Sequence, residues 1–239
     1  MSDPIDRAGL LAGASVEEAV FALRPDYRAL LIAVDGIEPG ASDPVSEALL
    51  VAAEESARTA LASTAVEDLA HISAWRQAYR GFGAKPQRTR NSVEALTRRA
   101  EAGLPRVNRL TDIYNAVSVL HQVPIGGEDL ARYDGPPRLI RATGTEAFDT
   151  TAGGEPVTEH PEAGEVVWID GTAITCRRWN WRQGRRTALT EETTSTLFIL
   201  DALEPMSDDA LTAAGSDLVE HVSTLGPHVR TATRIISAP

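Results

Sequence analysis

The sequence PRVNRLTDIYNAVSVLHQVPIGGED, residues 105–129, contains the point at which the chain changes from helical to extended patterning. From Val107 to Gln122 the apolar positions recur at helical spacing, which predicts an amphipathic helix. From Pro124 onward, short apolar runs alternate with turn residues such as Gly153-Gly154 and Asp170-Gly171, a pattern typical of strands and hairpins. Helices that precede a run of strands predict an α+β fold.

Similar patterns extend this assignment in both directions. The apolar run Ala29–Val34, closed by Asp35-Gly36, predicts a buried strand among the helices. The predicted helices cover residues 15–24, 45–63, 66–79, 92–103, 107–122 and 208–225, and the other predicted strands cover 138–143, 165–170, 173–178, 194–202 and 229–236. Residues 1–14 are predicted to be a flexible lead and residues 15–239 a single globular domain, for which the length is sufficient.

Composition excludes several classes of protein. No run of eighteen apolar residues appears, and the first residues lack the pattern of a signal peptide, so we expect a cytoplasmic protein without a membrane partner. Cys176 is the single cysteine, and the five histidines are scattered, so we expect no structural metal and no cofactor. Cys176 is either a thiolate activated by Arg177 and Arg178 or a small buried side chain.

Positive charge is concentrated in two segments of an acidic chain. The net charge of -11 argues against a generic nucleic-acid binder, and no DNA partner is expected. From Arg76 to Arg109, however, the chain contains nine basic residues and only two acidic ones, and the segment Arg177–Arg186 contains five arginines and no acidic residue. These segments are either ordinary solvated surfaces or two halves of one phosphate-facing surface.

The second basic segment also contains two of the four tryptophans. In CRRWNWRQGRRT, residues 176–187, strand alternation would place Trp179 and Trp181 on one face, with Asn180 and Arg182 on the other. Aromatic side chains beside arginines stack unpaired bases in many RNA-binding proteins. A buried tryptophan pair with an exposed basic edge is the alternative.

Several ordered motifs resemble one family. The matching positions are Asp112 and Asn115, Pro124-Ile125-Gly126 with Asp129, Arg141 with Glu146, Gly164-Glu165 with Asp170, and Arg177-Arg178-Trp179-Asn180 with Gln183 and Thr187. Over roughly residues 72–203 the chain resembles the stand-alone B3/4 domain proteins, which are similar to the editing domain of the phenylalanyl-tRNA synthetase beta subunit. The resemblance implies helices packed on a mixed, mostly antiparallel β-sheet.

The resemblance also implies an activity and a pocket. The synthetase domain hydrolyses the ester of a wrongly attached amino acid on its tRNA, so a free-standing relative is expected to act on the acceptor end of an aminoacyl-tRNA. The implied pocket lies between helix and sheet. This chain departs from the synthetase pattern at two positions, with Gly126 in place of a histidine and Gln183 in place of a glutamate. A hydrolase would then activate water through Asp112 or through the terminal hydroxyl of the tRNA.

These considerations assign a role to each candidate residue. Asp112 is the candidate catalytic base. The candidate substrate-binding residues are Asn115, Gly126, Arg178, Trp179, Asn180, Gln183 and Thr187, and the candidate tRNA-binding residues are Arg88, Arg90, Arg182 and Arg185. Two other functions stay open, namely a noncatalytic module that binds RNA or an amino acid, and a small-molecule hydrolase or binder unrelated to tRNA.

Overall fold

The computed structural model describes residues 6–239 and contains helices and strands in mixed order. The helices are α1 (Arg7–Gly13), α2 (Glu18–Leu23), α3 (Pro44–Leu61), α4 (Ala70–Gly81), α5 (Ser92–Arg99), α6 (Arg109–His121) and α7 (Asp208–Ser223). The strands are β1 (Ser15–Val16), β2 (Arg28–Asp35), β3 (Ile125–Asp129), β4 (Arg138–Arg141), β5 (Phe148–Ala152), β6 (Glu155–Glu159), β7 (Val166–Ile169), β8 (Ile174–Arg177), β9 (Arg182–Gln183), β10 (Ser195–Ala202) and β11 (Arg230–Ser237). None of the helices within residues 6–239 has the length and apolarity needed to cross a membrane.

The central sheet has the order β11-β2-β10-β3, and every pairing in it is antiparallel. Strand β2 is apolar on both faces because both faces are covered. Leu30 and Ile32 pack with residues of α6 and α7, whereas Leu31 and Ala33 pack toward the second sheet. This double burial explains why the run from Ala29 to Val34 shows no polar alternation.

The second sheet has the order β1-β4-β7-β8-β9. Its β1–β4 pairing is parallel and the others are antiparallel, while β5 and β6 form a separate hairpin. The predicted α+β class with mixed, mostly antiparallel pairing is therefore confirmed. The strands are divided between two main sheets and a hairpin.

An aromatic cluster fills the space between the two sheets and α4. The rings of Trp75 and Trp179 meet edge to face with centroids 5.2 Å apart, and Tyr27 meets Trp179 at 5.0 Å. All three side chains are fully buried. Edge-to-face pairs of this kind add to the free energy gained by burying apolar area.

The predicted alternation of Trp179 and Trp181 on a continuous strand is wrong. Arg178 and Trp179 have φ angles of 49° and 69°, in the left-handed region, so the chain leaves the sheet after Arg177. The turn directs Trp179 into the core and leaves Trp181 half-buried beside Arg178. Burial of the Trp179 ring in the aromatic cluster offsets the cost of this backbone conformation.

Other differences lie at the N-terminus and in short strands. Residues 1–5 of the predicted flexible lead lie outside the described residues, and residues 7–13 form α1, whose first turn is capped by the Asp6 carboxylate. Ser15 pairs with β4, so the next helix begins at Glu18 rather than at Ser15. Strands β3, β5 and β6 were not predicted, because β3 has the sequence IGGED and the β5–β6 hairpin is largely polar.

Candidate functional site

A cavity of about 390 Å³ opens between α5, α6, the β3–β10 edge of the central sheet and the segment from β8 to β9. Its volume lies in the range of small-molecule sites. Its inner lining includes Trp168, Cys176, Trp179, Asn180, Ile199, Asp201 and Glu128, all of them buried. The outer lining includes Arg88, Arg90, Arg99, Trp181, Arg182 and Gln183. Apolar walls thus join a buried acidic floor to a basic mouth.

Asp201 forms one half of the acidic floor. Strand alternation on β10 directs it toward the second sheet, together with Leu197 and Ile199. Its Oδ1 accepts a hydrogen bond from the Tyr27 hydroxyl at 2.6 Å, and its Oδ2 accepts one from Asn180 Nδ2 at 3.2 Å. Burial raises the pKa of Asp201 to about 7.

Glu128 forms the other half of the floor. It lies on β3 opposite Leu197 of β10, on the same face of the sheet as Asp201. The Tyr133 hydroxyl donates a hydrogen bond to its carboxylate. Burial raises the pKa of Glu128 to about 7. Within residues 6–239 neither acid forms an ion pair, and the nearby Arg186 binds Asp170 instead.

The two positions that depart from the synthetase pattern lie next to each other at the cavity. Gln183 donates a hydrogen bond from Nε2 to the carbonyl of Gly127 at 2.8 Å. A Cβ placed on Gly126 would lie 3.2 Å from the same Nε2 atom. A side chain at position 126 would therefore crowd Gln183, which places the two departures in contact with each other.

Asn115 reaches the cavity from α6 with an unpaired amide. Its side chain is 7% exposed and lines the cavity. Within the described part of the chain its amide makes no hydrogen bond. The amide atoms are not sealed from solvent, so the group is accessible to a ligand in the cavity.

Four arginines line the mouth. The Arg90 Nε lies 3.8 Å from the Glu94 carboxylate, and Arg182 donates to the Thr151 carbonyl at 3.0 Å. Arg88 and Arg99 have no acidic partner within 4 Å among residues 6–239. Arg178 lies outside the lining but stacks on Trp181, with the centre of its guanidinium 4.6 Å from the ring centroid.

Some candidate residues lie away from the cavity. The Asp112 carboxylate is buried at the start of α6, where it accepts the Val107 N–H at 2.9 Å and the Ser46 hydroxyl at 3.3 Å. Residues three apart on a helix differ by about 60° in direction, so Asn115 reaches the cavity and Asp112 reaches α3 instead. The structure therefore does not bring the candidate base to the site.

Three further candidates also lie outside the cavity lining. Arg178 contacts Glu165 at 3.4 Å and lines a neighbouring cavity of about 350 Å³, which shares Arg88 with the first. Thr187 is buried behind β3, where its carbonyl accepts the Asp129 N–H at 2.8 Å. Arg185 turns to the β5–β6 hairpin and lies 3.4 Å from Asp149. Of the candidate set, the cavity brings together Asn115, Gly126, Trp179, Asn180, Gln183, Arg88, Arg90 and Arg182.

Sequence reasoning missed Glu128, Asp201 and Arg99. Asp201 was detectable in principle, because it is an acid near the end of the otherwise apolar strand STLFILDA. Cys176 lines the cavity, but burial raises the pKa of its thiol well above the ordinary value, which disfavours the thiolate. Within residues 6–239 no group of three or more His, Cys, Asp or Glu side chains is arranged to hold a metal ion.

Two kinds of comparison with known proteins, with a family profile and with solved structures, gave matches. The sequence profile of the B3/4 domain matches residues 74–213. Among solved structures, an N-terminal fragment of the phenylalanyl-tRNA synthetase beta-subunit from Pyrococcus horikoshii superimposes with a TM-score of 0.44 at 12% identity. The alignment covers 93% of this chain and 49% of that fragment, so the chain spans about half of its length. The search of curated proteins gave no match.

Proposed function

The chain belongs to the B3/4 domain family, and from that premise we propose that it binds the acceptor end of an aminoacyl-tRNA and hydrolyses the aminoacyl ester. The observation that carries this proposal is the polarity of the cavity, with four arginines at the mouth and buried polar groups inside. An aminoacyl-tRNA end has the complementary arrangement, because its phosphates are anionic and its amino acid is the terminal group. The specific reaction that we propose is the editing reaction expected from the sequence.

The arginines of the mouth would hold the RNA backbone. Arg88 and Arg99 are free to form charge-assisted hydrogen bonds with phosphate oxygens. Trp181, already stacked by Arg178, offers a half-exposed aromatic face to a terminal base. A cavity of about 390 Å³ admits an amino acid but no RNA helix, so only the end of the strand would enter.

Ester hydrolysis needs an attacking water and a leaving ribose oxygen. Asp112 is already bound to Val107 and Ser46, so the free hydroxyl of the terminal ribose is the preferred proton relay. Water attacks the ester carbonyl carbon, the bond to the ribose oxygen breaks, and that oxygen receives a proton. The products are the free amino acid and the deacylated tRNA. Asn115 and Gln183 are the polar side chains that would orient the ester at this point.

The test is deacylation of tRNAs that carry mismatched and nonstandard amino acids, with heat-denatured protein as the blank. Asn115→Ala is expected to abolish turnover and preserve stability, because the Asn115 amide has no hydrogen bond to lose within the described chain. Arg58→Ala is the matched surface control, since Arg58 pairs with Glu55 on α3, away from the cavity. An unchanged rate in Asn115→Ala would contradict the proposed site.

A noncatalytic binding module is the second candidate function. The contact between Gly126 and Gln183 favours it, because a hydrogen bond from Gln183 to the Gly127 carbonyl occupies a group that the ester would otherwise use. This alternative expects salt-sensitive binding of aminoacyl-tRNA without turnover. Binding and turnover measured on the same tRNAs separate the two functions.

A further inference from the structure

The floor of the cavity holds two carboxylates, and no basic side chain among residues 6–239 neutralises them. Asp201 is bound by Tyr27 and Asn180, and Glu128 by Tyr133, all of which are neutral hydroxyl or amide donors. Both acids line the cavity and are at least 98% buried. A buried carboxylate is stable in its charged form only with a compensating cation or a set of strong donors.

Asn115 supplies a further polar group at the same cavity. The residue is 93% buried, and its amide, which makes no hydrogen bond within residues 6–239, is accessible from the cavity. Its oxygen is an acceptor, as are the carboxylates of the floor. An ammonium group carries three donors and one positive charge, so it would satisfy acceptors of this kind and supply the missing charge.

The arginines of the protein do not supply this charge. Those of the cavity lie in its outer lining, where Arg90 faces Glu94 and Arg182 binds the Thr151 carbonyl. Arg177, which follows the cavity-lining Cys176 in sequence, forms an ion pair with Glu165 at 2.8 Å. The cavity is therefore divided into a mouth that attracts anions and a floor that attracts a cation.

We propose that Glu128, Asp201 and Asn115 form a binding site for the ammonium group of the aminoacyl substrate. This inference deepens the proposed function and rests on it for the identity of the substrate. The ammonium has two possible sources, the α-amino group present in every aminoacyl ester and the basic side chain of a residue such as lysine. An N-acylated ester with a neutral side chain offers neither source and is excluded.

Four amides distinguish these sources without any tRNA. Lysinamide carries both ammonium groups, norleucinamide only the α-ammonium, Nα-acetyl-lysinamide only the side-chain ammonium, and Nα-acetylnorleucinamide none. Calorimetric titration of the full chain is expected to detect binding of at least one of the two singly charged amides. The uncharged amide should bind at least about tenfold more weakly, because it lacks a charged hydrogen bond of that strength. The tighter of the two singly charged amides identifies the source.

Isosteric variants test the residues. Glu128→Gln and Asp201→Asn remove the charge and keep one acceptor oxygen in each side chain, and each is expected to weaken binding about tenfold. Glu191→Gln, in an exposed loop, leaves binding unchanged. If these variants do not fold, Asn115→Ala and the four-amide comparison on the unaltered chain decide. Equal binding of all four amides, or binding of none in the millimolar range, overturns the ammonium site.

The outcomes separate this inference from the proposed function. A protein that deacylates tRNA but does not discriminate among the amides would refute the ammonium site and keep the hydrolase. A protein that discriminates among the amides but hydrolyses no ester would refute the hydrolase and keep the site.

Discussion

Replacing Glu128 by glutamine is expected to stabilise the protein above neutral pH and to have little effect in acid. Burial raises the pKa of Glu128 from its ordinary value of 4.5 to about 7. Each pKa unit corresponds to about 1.36 kcal/mol, so ionisation of Glu128 costs the folded state about 3 kcal/mol relative to the unfolded chain. Because the folded pKa is the higher one, the stability contribution is complete below pH 4.5 and is lost as the pH rises through 7.

The assay is urea unfolding of the parent and of Glu128→Gln between pH 4.5 and pH 8 in the absence of ligand. The amide of glutamine still accepts the Tyr133 hydroxyl, so the hydrogen bond is retained. As the pH rises across this range, the free energy of unfolding of the variant minus that of the parent should increase by about 3 kcal/mol. Asp201 contributes in the same direction, since the charge of Glu128 raises its pKa and the substitution removes that effect.

Glu191→Gln is the matched control for this experiment, because Glu191 is an exposed carboxylate in the loop before β10. Its unfolding free energy should stay parallel to that of the parent at every pH. A constant difference between Glu128→Gln and the parent from pH 4.5 to pH 8 would refute the reasoning, because it would mean that Glu128 titrates alike in the folded and unfolded chains.

Three further expectations concern the core and the mouth of the cavity. Burial lowers the pKa of His71 to about 4, so its ring signals in nuclear magnetic resonance should not titrate between pH 8 and pH 5. The free energy of unfolding should fall as the pH drops from 6.5 to 4, and a titration midpoint of the ring near pH 6.5 would contradict this expectation. Trp179→Ala should cost about 3 to 5 kcal/mol of unfolding free energy in denaturant titrations, and a loss below about 1 kcal/mol would show that the aromatic cluster repacks. If Arg99 contacts one phosphate, Arg99→Ala should weaken tRNA binding and reduce by about 1 the slope of the logarithm of the affinity against the logarithm of the salt concentration. Arg58→Ala should change neither quantity, and equal effects of the two substitutions would place the RNA elsewhere.

The elements that the sequence predicted well are those whose pattern reflects burial. Strand β2 is covered on both faces, and its uninterrupted apolar run identified it. Helix α6 carries Asn108 as its N-cap, and its apolar spacing reflects contact with the central sheet. Local sequence predicts such elements because the spacing of their apolar residues is the spacing of the face that they bury.

The elements that escaped prediction depend on distant partners. Strand β3 contains Gly126 and Gly127, which have low strand propensity, and it is held in the sheet by its pairing with β10. Glycine suits position 127, because a Cβ would lie 2.8 Å from Leu189 and 3.0 Å from Tyr114 and would force these side chains to shift. The turn at Arg178 was hidden for a similar reason, since Trp179 packs there against Trp75, a residue distant in sequence.

The same distinction applies to the candidate site. Asn115, Gly126 and Gln183 were proposed from the resemblance and do lie together at one cavity. Asp112 was proposed as the base because Gly126 stands in place of a histidine, but proximity to Asn115 along a helix does not determine which neighbour a side chain faces. Glu128 and Asp201 were overlooked because a lone acid acquires an unusual pKa only through the residues that bury it.

The composition of the cavity can be considered together with Gly126 and Gln183, the two departures from the synthetase pattern at its edge. With glycine at position 126, space is left for Gln183 to bind the Gly127 carbonyl, so the wall carries neither the imidazole nor the carboxylate of the synthetase pattern. The acidic groups of the site are Glu128 and Asp201 at the floor, which have no ion-pair partner among residues 6–239. Two ionisable acids buried without a cation reduce stability at neutral pH, and a substrate ammonium would reverse that loss by lowering the pKa of both. Recognition would thus depend on the charge that the substrate brings to the floor of the cavity, whereas the arginines at the mouth would bring the RNA to it.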